Sequence, residues 1–370
     1  MIILDIVFYS FVVIVCIQVV FYGIVFGSFA FHNPIQPTPN TTPVSVLICA
    51  KNEAKNLLAF LPSILKQNYP NFQVVLINDA SSDNTLEIME DFAEQYDNIK
   101  IVNVRNTEAF WGKKKYALTL GIKAAKYEQL LLTDADCQPV SEHWIRDMSA
   151  HFTTKNTIIL GYGAYNKIKN SLLNKVIRYE TLLTAMQYFS FAKIGIPFMG
   201  VGRNLAYKRS EFFKTNGFIN HIDVRSGDDD LFINEAATSQ NTSICFSPSS
   251  FTTSIPKTSL HSWFRQKRRH VSTAKKYKPL HKSLLALFYS SQLLFWIFSI
   301  VLLIAGFYWQ FALALMLLRF IVQMTAVGFS AKKLNELDLI LILPFLELFL
   351  IVFQFSIFIA NLISKPNYWK

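Results

Sequence analysis

Four long apolar runs, separated by one large block of alternating short segments, organise this chain of 370 residues. The first run, residues 6–31, holds no charged side chain and exceeds the ~20 residues that cross a bilayer. No Lys or Arg precedes it, and it is longer than the apolar core of a secretory signal, so we predict a permanent membrane helix. Three further spans are predicted over residues 284–309, 311–330 and 337–363.

Between the first and second runs lie roughly 250 residues, enough for one large core. Short runs rich in β-branched residues alternate here with segments of helical spacing. The predicted strands are residues 44–49, 72–78, 99–104 and 129–133, and the predicted helices are 53–67, 84–95, 114–125, one from Ser141 and a long one over 171–193. This alternation is typical of an α/β domain with a doubly wound, mainly parallel sheet covered by helices on both faces. Ligands of such folds bind at the carboxyl ends of the strands.

The composition agrees with a chain that lies partly in lipid. Hydrophobic residues make up 52% and charged residues 16%, whereas soluble domains carry roughly 25% charged residues. The mean hydropathy is +0.28. These values exclude a disordered or collagen-like chain, and four Cys without zinc-type spacing exclude a disulfide scaffold and favour buried, inert thiols.

The net charge of +11 is concentrated in one segment, residues 257–282, which holds nine Lys and Arg and no Asp or Glu. The chain has 36 Lys and Arg and 25 Asp and Glu in total. Outside this segment, the Lys and Arg therefore outnumber the Asp and Glu by only two. Because the next residues enter the bilayer, we expect this segment to contact an anionic membrane surface and not nucleic acid. We predict an interfacial helix with Leu260, Trp263, Phe264 and Val271 facing lipid.

Basic flanks remain cytoplasmic, which predicts a cytoplasmic catalytic block at the plasma (inner) membrane. The loop with Lys332 and Lys333 is then also inside, and the N-terminus and residues 309–310 are outside. By this count Lys365 and Lys370 fall outside, against the rule. Arg319 and Glu347 lie near the centres of adjacent spans, and we favour an ion pair between them over a sugar-lined passage. Arg178 and Glu180, in the long helix, are interpreted as packing residues.

Acidic residues cluster where three predicted strands end. Glu53 follows the first strand, Asp79 and Asp83 follow the second, and Asp134 and Asp136 follow the fourth. Singly, each has an ordinary explanation, such as a helix cap or a turn. Together at one sheet edge, an alternate pair of carboxylates can hold one hard divalent cation that neutralises a diphosphate.

Two polar clusters follow farther along the chain, Gly202-Arg203-Asn204 and Asp228-Asp229-Asp230. Three consecutive carboxylates repel one another, so a purely structural role would be costly unless one of them caps a helix. We expect Asp228 to be that cap. Repulsion and partial burial should also raise the pKa of one of the three, which suits a general base.

In their order, these motifs and a later Gln266-x-x-Arg269 resemble the membrane-embedded family 2 glycosyltransferases. That group includes cellulose, hyaluronan and poly-N-acetylglucosamine synthases and ceramide glucosyltransferase. The resemblance covers about residues 44–276, each motif being weak alone and the five in order being specific. It implies the GT-A fold, a Rossmann-like nucleotide-sugar domain, with one N-terminal and about three C-terminal transmembrane helices.

The resemblance also implies roles for individual residues. Ala50, Glu53 and Asp79 match positions that line a uridine pocket. Lys114 matches a lysine near the nucleotide, with Lys113 and Lys115 as alternatives. Asp134 matches a residue near ribose and metal, and Asp136 matches the direct ligand of Mg²⁺ or Mn²⁺.

On the acceptor side, Arg203 and Asn204 match the segment that meets the acceptor, and Asp229 matches the general base. Gln266 and Arg269 match the signature that closes over the diphosphate and the acceptor end. Two positions depart from the family pattern and are assigned to the acceptor site. Asp228 replaces a Glu, and His270 replaces a Trp that forms an aromatic wall, which puts processive polymer synthesis in doubt.

We therefore expect an inverting, metal-dependent transferase that moves a sugar from a nucleotide donor, UDP-linked by preference, to a lipid-linked or glycan acceptor. The alternatives are a processive synthase that exports its product with partner subunits, and a catalytically inactive scaffold or sugar-nucleotide sensor. The predicted division is residues 1–32 for the first membrane helix, 33–256 for the GT-A domain, 257–282 for the basic interfacial helix and 283–370 for three membrane helices.

Overall fold

The computed structural model describes residues 2–34, 40–105, 113–224 and 226–364. The chain begins with one long apolar helix, α1 (Ile2–Val20), which continues through a π-helical turn, Phe21–Val25, into α2 (Gly27–Ala30). This helix leads into the soluble block, where its end packs on the long helix of that domain through Phe29 and Phe189.

The first half of the soluble block follows the predicted alternation closely. Its elements are β1 (Val44–Ala50), α3 (Ala54–Leu65), β2 (Phe72–Asp79), α4 (Thr85–Gln95), β3 (Ile99–Val104), α5 (Lys113–Ala124) and β4 (Gln129–Asp134). The four strands are parallel, and central β1 pairs with both β2 and β4, so that Val46 lies beside Val74 and Leu131. The predicted strands are confirmed to within one residue at each end.

The second half adds shorter elements: β5 (Cys137–Pro139), α6 (Trp144–Ser149), β6 (Ile158–Leu160), β7 (Gly163–Tyr165), α7 (Leu172–Lys193), β8 (Leu205–Lys208), α8 (Arg209–Lys214), α9 (Asp230–Ala236), β9 (Thr242–Ile244) and β10 (Thr252–Ser254). The main sheet has the order β3-β2-β1-β4-β8-β6-β9, and β8 runs antiparallel to both of its neighbours. A second sheet has the order β5-β10-β7. The prediction of a mainly parallel α/β sheet is confirmed.

Helices cover both faces of the main sheet, as expected. One core contains α3, α4 and α6, with Leu61, Met89 and Trp144 buried against the sheet. The other contains α5, α7 and the membrane-proximal helices. On that face, a Cβ added at Gly121 would lie 2.1 Å from Cδ1 of Ile77, so glycine is required for the close approach of α5 to β2.

The remaining helices are α10 (Leu260–Thr273), α11 (Pro279–Ile304), α12 (Trp309–Lys333) and α13 (Leu343–Ile363), with a 3-10 helix, Leu337–Ile342, before α13. Within the described residues, four helices are long and apolar enough to cross a membrane, as predicted. One boundary was wrong. The second run ends at Ile304, because Gly306 and Tyr308 adopt φ values of +62° and +45° and form a turn, and Trp309 begins the next helix.

The polar residues inside the apolar helices form one buried network. The predicted pair exists: the Arg319 guanidinium donates to a Glu347 carboxylate oxygen at 2.9 Å. Gln18 of α1 accepts from the same guanidinium at 3.0 Å, and Gln292 of α11 donates to Glu347 at 3.0 Å. The network therefore joins four helices, and the paired charges explain why both are tolerated among apolar residues.

The last helix turns back toward the α/β domain. Gln292 contacts Glu347, and one turn earlier on α11 the Tyr289 hydroxyl donates to the Ile351 carbonyl at 3.1 Å, so α13 runs antiparallel to α11. Its C-terminal end lies beside α10, where Arg268 donates to the Ala360 carbonyl at 2.9 Å. Lys365 and Lys370, predicted to lie outside, fall beyond the described residues.

The start of the same segment is also tied to the domain. Arg178 of α7 donates to Glu336 at 2.8 Å and to Asp338 at 2.9 Å, just where the 3-10 helix begins. Arg178 is thus an anchoring residue, in line with the predicted packing role. Both ends of the unit formed by the 3-10 helix and α13 therefore lie on the side of the α/β domain.

The basic helix is present, but part of its apolar face is covered by protein. Trp263, predicted to face lipid, is fully buried and stacks on Phe353 of α13 with ring centroids 4.0 Å apart. Phe264 packs edge-on against the same ring. Leu260 and Val271 remain exposed. The covering element is α13, which lies about 90 residues farther along the chain and has its own apolar face to bury.

Candidate active site

A single cavity of about 1290 Å³ lies at the carboxyl ends of the parallel strands and continues along α10. Its lining includes most of the predicted site residues: Glu53, Asp79, Lys114, Asp134, Asp136, Arg203, Asp228, Asp229, Gln266, Arg269 and His270. The strands bring the acidic loops together because parallel neighbours end at one edge. The cavity lies where the sequence predicted a ligand site.

The loops after β1 and β2 are locked to each other. The Asn52 side chain accepts from the Ser82 backbone N–H at 2.8 Å, and the Asn52 N–H donates to the Ser81 hydroxyl at 3.0 Å. Asn52 adopts φ +55°, a conformation that Asn tolerates better than most residues. The Glu53 N–H donates to the Thr85 hydroxyl at 2.9 Å. These bonds give this end of the cavity a defined shape.

Lys114 connects two of the acidic loops. Its ammonium group lies 3.0 Å from an Asp134 oxygen and 2.8 Å from an Asp228 oxygen. Burial disfavours the charged form, but the two carboxylates outweigh it and raise the pKa of Lys114 well above its ordinary value. The alternative Lys115 points away and donates to the His221 carbonyl at 2.6 Å, and the side chain of Lys113 lies outside the described structure. Lys114 is the lysine of this site.

The three consecutive carboxylates have three different partners. Asp228 binds Lys114, and Asp230 accepts from the Tyr277 hydroxyl at 2.7 Å. Asp229 accepts from the Gly202 backbone N–H at 2.7 Å and from the Asp230 N–H at 2.8 Å, at the start of α9. The helix cap is therefore Asp229 and not Asp228, as we had expected, because Asp228 turns toward the lysine.

The environment of Asp229 differs from that of its neighbours. Burial, followed by the charges of Asp228 and Asp230, raises the pKa of Asp229 to about 7. Lys114 and the Gly202 N–H act in the opposite direction and are outweighed. Burial also raises the pKa of Asp230, so the expectation of a raised pKa among the three carboxyls is met at two of them. A carboxylate with the pKa of Asp229 can accept a proton at neutral pH.

Asp134, Asp136 and Cys137 bring potential metal-ligand atoms within 4.8 Å of one another. Burial, with the Asp136 and Asp134 charges, raises the pKa of the Cys137 thiol well above its ordinary value, so the thiol stays protonated. It is a poor ligand for a hard cation, whereas the two carboxylates are the type that Mg²⁺ or Mn²⁺ prefers. The donor set therefore fits a hard divalent cation held by Asp134 and Asp136. Of the remaining thiols, Cys245 is buried, but Cys16 is exposed on α1.

Two family models match the chain. The model for glycosyl transferase family 2 matches residues 45–213, and the model for glycosyl transferase family group 2 matches residues 130–360, more than half of the chain. The chain belongs to the family 2 glycosyltransferases. With its four long apolar helices, this glycosyltransferase is an integral membrane protein.

The fold agrees with a solved glycosyltransferase. A mannosyltransferase from Pyrobaculum calidifontis, whose structure is in complex with GDP-Man and Mn²⁺, superposes with a TM-score of 0.59. The match covers 90% of this chain and 99% of that one, at 18% sequence identity. A likeness at this identity supports the GT-A fold that the sequence predicted.

Two curated relatives match over shorter stretches. The poly-β-1,6-N-acetyl-D-glucosamine synthase of Staphylococcus epidermidis is 39% identical over 93 residues, which are 25% of this chain and 21% of the relative. The β-monoglucosyldiacylglycerol synthase of Trichormus variabilis is 34% identical over 101 residues, 27% of this chain and 21% of the relative. The matched stretch thus spans about one fifth of each relative's length.

In this glycosyltransferase, α10 forms the side wall of the cavity. Gln266, Arg269 and His270 all line it. Among the described residues, the Gln266 side-chain oxygen is buried without a hydrogen-bond partner, so it is available to a ligand. Burial, followed by the charges of Lys267 and Arg269, lowers the pKa of His270 well below its ordinary value, so the imidazole is neutral.

Two predicted site residues do not line the cavity. Asn204, expected to meet the acceptor, is fully buried, and its amide donates to the Tyr162 and Ser250 carbonyls at 2.9 and 2.8 Å. Its oxygen accepts from the Trp144 indole at 3.0 Å, so Asn204 joins three neighbouring segments of the domain and that prediction was wrong. The Ala50 methyl group packs in the core at the end of β1 and does not reach the cavity.

Arg203 lines the cavity but is held firmly by protein. Its guanidinium lies 4.2 Å from the Tyr165 ring centroid and donates to the Ala164 carbonyl at 3.0 Å and the Ser254 hydroxyl at 3.1 Å. The sequence analysis missed one pair: Glu180 of α7 forms a salt bridge with Lys267 of α10 and lines the cavity. The only available signal was a charged residue between apolar turns of the helix.

Proposed function

We propose that this glycosyltransferase moves a sugar from a nucleotide donor, UDP-linked by preference, to a hydroxyl of a lipid-linked or glycan acceptor, with inversion, at the cytoplasmic face. The observation that carries this proposal is the environment of Asp229. It faces the cavity, accepts two backbone N–H bonds that fix its orientation, and has a pKa near neutrality. These are the properties of a general base.

The residues divide between the two ends of the reaction. Asp229 takes the proton of the attacking acceptor hydroxyl, on the side of the sugar opposite the leaving group. Arg269 and Lys114 offset the negative charge that develops on the departing diphosphate. One displacement without a covalent intermediate inverts the anomeric carbon. A divalent cation held by Asp134 and Asp136 would neutralise part of the diphosphate charge.

Glu53 and Asp79, in the interlocked loops, would line the nucleoside pocket. Asp228 keeps Lys114 oriented, and His270 and Arg203 would border the acceptor. We retain the four-part division at residues 32, 256 and 282, and the cytoplasmic orientation predicted from the basic flanks. Asp134, Asp136, Lys114 and Arg269 line the same cavity as Asp229. The presence of these charged residues favours an enzyme over an inactive scaffold.

The test is release of nucleoside diphosphate by the purified chain in nanodiscs, across a panel of UDP- and GDP-sugars, with and without Mg²⁺ or Mn²⁺. Asp136→Ala should remove the metal-stimulated release, because one of two carboxylate ligands is lost. Asp91→Ala, an exposed carboxylate of α4, is the matched control and should behave as wild type. Metal-independent release, or undiminished release by Asp136→Ala, contradicts the proposal.

A further inference from the structure

The cavity extends well past the catalytic carboxylates and into the apolar helices. Beyond Asp229 it is lined by Ala286, Tyr289 and Leu293 of α11 and by Gln354, Phe355 and Phe358 of α13. Both helices have the length and composition of membrane segments. One continuous space therefore connects the catalytic end with a surface that lipid surrounds.

This membrane end of the cavity is a groove between α11 and α13. Helix α11 packs mainly along α1, whereas α13 packs mainly on α7 and α10. The two helices that border the groove are therefore held by different parts of the protein and make few contacts with each other. Phe355 and Phe358 are 46% and 54% exposed although they line the cavity. Their rings face an open side of the groove, which gives access from the bilayer.

The opposite wall is polar. Helix α7 contributes Glu180, Thr184 and Gln187, and α10 contributes Lys267 and His270. Since α13 runs back toward α10, its Phe358 lies at the end of the groove nearest this polar wall. A molecule in the cavity thus meets polar groups toward Asp229 and hydrocarbon toward the membrane.

The volume suits two substrates. Pockets for one drug-sized ligand hold about 300–1,000 Å³, whereas this cavity holds about 1290 Å³. A sugar nucleotide needs the acidic, strand-end part alone. The side chains of Ala286, Leu293, Phe355 and Phe358 suit a hydrocarbon chain better than a water-soluble glycan, whose hydroxyls would lose water and find few partners there.

We propose that the acceptor is a bilayer lipid with a free hydroxyl in its head group, whose hydrocarbon chain lies between α11 and α13. This inference rests on the proposed function and narrows its acceptor. The lipid oxygen forms a bond to the anomeric carbon as the bond from that carbon to the diphosphate oxygen breaks. The hydroxyl proton passes to the Asp229 carboxylate, and the nucleoside diphosphate leaves with the bonding electrons.

The groove can be filled without touching the catalytic groups. Ala286 and Ser290 are exposed, small residues of α11 that line it, and Ala286→Trp and Ser290→Trp place an indole in the path of the chain. The matched controls are Ala314→Trp on α12 and Ser356→Trp on α13, at exposed positions that do not line the cavity. All four substitutions add an aromatic side chain to an apolar, exposed helix face.

The experiment uses the full chain in phosphatidylcholine nanodiscs with a diacylglycerol that carries a photoreactive diazirine in one acyl chain. A phosphatidylcholine with the same diazirine chain reports on bulk lipid. We expect the diacylglycerol probe to label α11 and α13 several-fold more than the phosphatidylcholine probe. The two groove variants should reduce this labelling about tenfold, and the two controls should change it less than about twofold.

A transfer assay accompanies the labelling. Wild type should move radiolabelled sugar into an organic-soluble product, and Ala286→Trp should raise the half-saturating diacylglycerol content about tenfold. Equal labelling by both probes, wild-type labelling of the groove variants, or transfer solely to soluble oligosaccharides would overturn the inference. A wild type that releases no nucleoside diphosphate from any donor would instead remove the proposed function, so the two failures are distinguishable.

Discussion

Replacing Asp229 by Asn separates the catalytic contribution of this residue from its effect on stability. The substitution keeps the shape and removes the ionisable group, but its single acceptor oxygen can serve only one of the Gly202 and Asp230 N–H groups, and the lost bond costs about 1 kcal/mol. Burial and the neighbouring Asp228 and Asp230 charges raise the pKa of Asp229 to about 7, so its ionisation is unfavourable in the folded protein. We expect Asp229→Asn to be inactive in transfer and yet more stable than wild type.

The magnitude follows from the two pKa values. In the unfolded chain an Asp ionises near pH ~4, so a folded pKa of about 7 costs about 4 kcal/mol once both states are ionised. Asp229 is partly exposed, and solvent screening reduces the cost to the order of 2 kcal/mol. Because the folded pKa is raised, wild type loses this stability as the pH rises from about 4 to about 7.

The assay compares thermal unfolding of wild type and Asp229→Asn in nanodiscs from pH 5 to pH 8. The variant should gain stability over wild type as the pH rises, reaching a constant difference above about pH 7. Above about pH 7 its transfer rate should be about 10²–10⁴-fold below that of wild type, and this ratio should shrink at lower pH, where Asp229 of wild type is protonated. In wild type, kcat/KM should rise with pH and level off above about 7, because the base must be unprotonated.

The exposed Asp91→Asn provides the control, and it should leave both quantities unchanged. The reasoning is refuted if Asp229→Asn is less stable than wild type at pH 8, or if the stability difference does not depend on pH. Retained transfer by the variant would separately exclude Asp229 as the base.

Three further outcomes are expected. Arg319→Glu and Glu347→Arg should each lower the yield of folded protein, and the double exchange should restore much of it. If the double exchange restores nothing, the surrounding amides such as Gln18 accept the pair only with the arginine on α12. Asn204→Ala should cost about 2–4 kcal/mol in chemical denaturation, because it leaves two buried carbonyls and an indole N–H unpaired, and a near-neutral effect would contradict the structural role. A fluorescent protein fused after Ser364 should fluoresce, whereas one fused after Gly306 should be dark, and equal signals would contradict the return of α13 to the catalytic face.

The predicted strands of the nucleotide-binding half matched the structure because their runs are buried on both faces. Val46 and Leu76 belong to such runs. Because both faces of a central parallel strand are buried, the strand is a continuous apolar run whose ends are easy to recognise. The position of β8 in the sheet could not be predicted from the sequence, because β8 pairs antiparallel with β4, some 75 residues away along the chain. The strands of the second sheet have three residues each, too few to show a period.

In the site, too, features set by neighbouring residues were predicted, whereas contacts with distant segments of the chain were not. Asp134 and Asp136 lie at the end of a predicted strand, so the local pattern sufficed to put them at the sheet edge, whereas Asp229 was assigned to the same site through the family resemblance. Asn204 looked like a ligand-facing amide, but its three partners come from distant segments that no local pattern reveals. Trp263 looked lipid-facing for the same reason, since its cover, Phe353, belongs to another helix.

The buried network around Arg319 has a consequence for the order in which the protein is built. Synthesis proceeds from the N-terminus, so α12 reaches the membrane before α13 with its Glu347, and a lone arginine at the centre of a span costs about 2.5–3.5 kcal/mol on insertion. Gln18, already present in α1, accepts from this guanidinium at 3.0 Å. During biogenesis the first helix can thus supply a hydrogen-bond acceptor to Arg319 before Glu347 of the last helix neutralises the charge of the guanidinium.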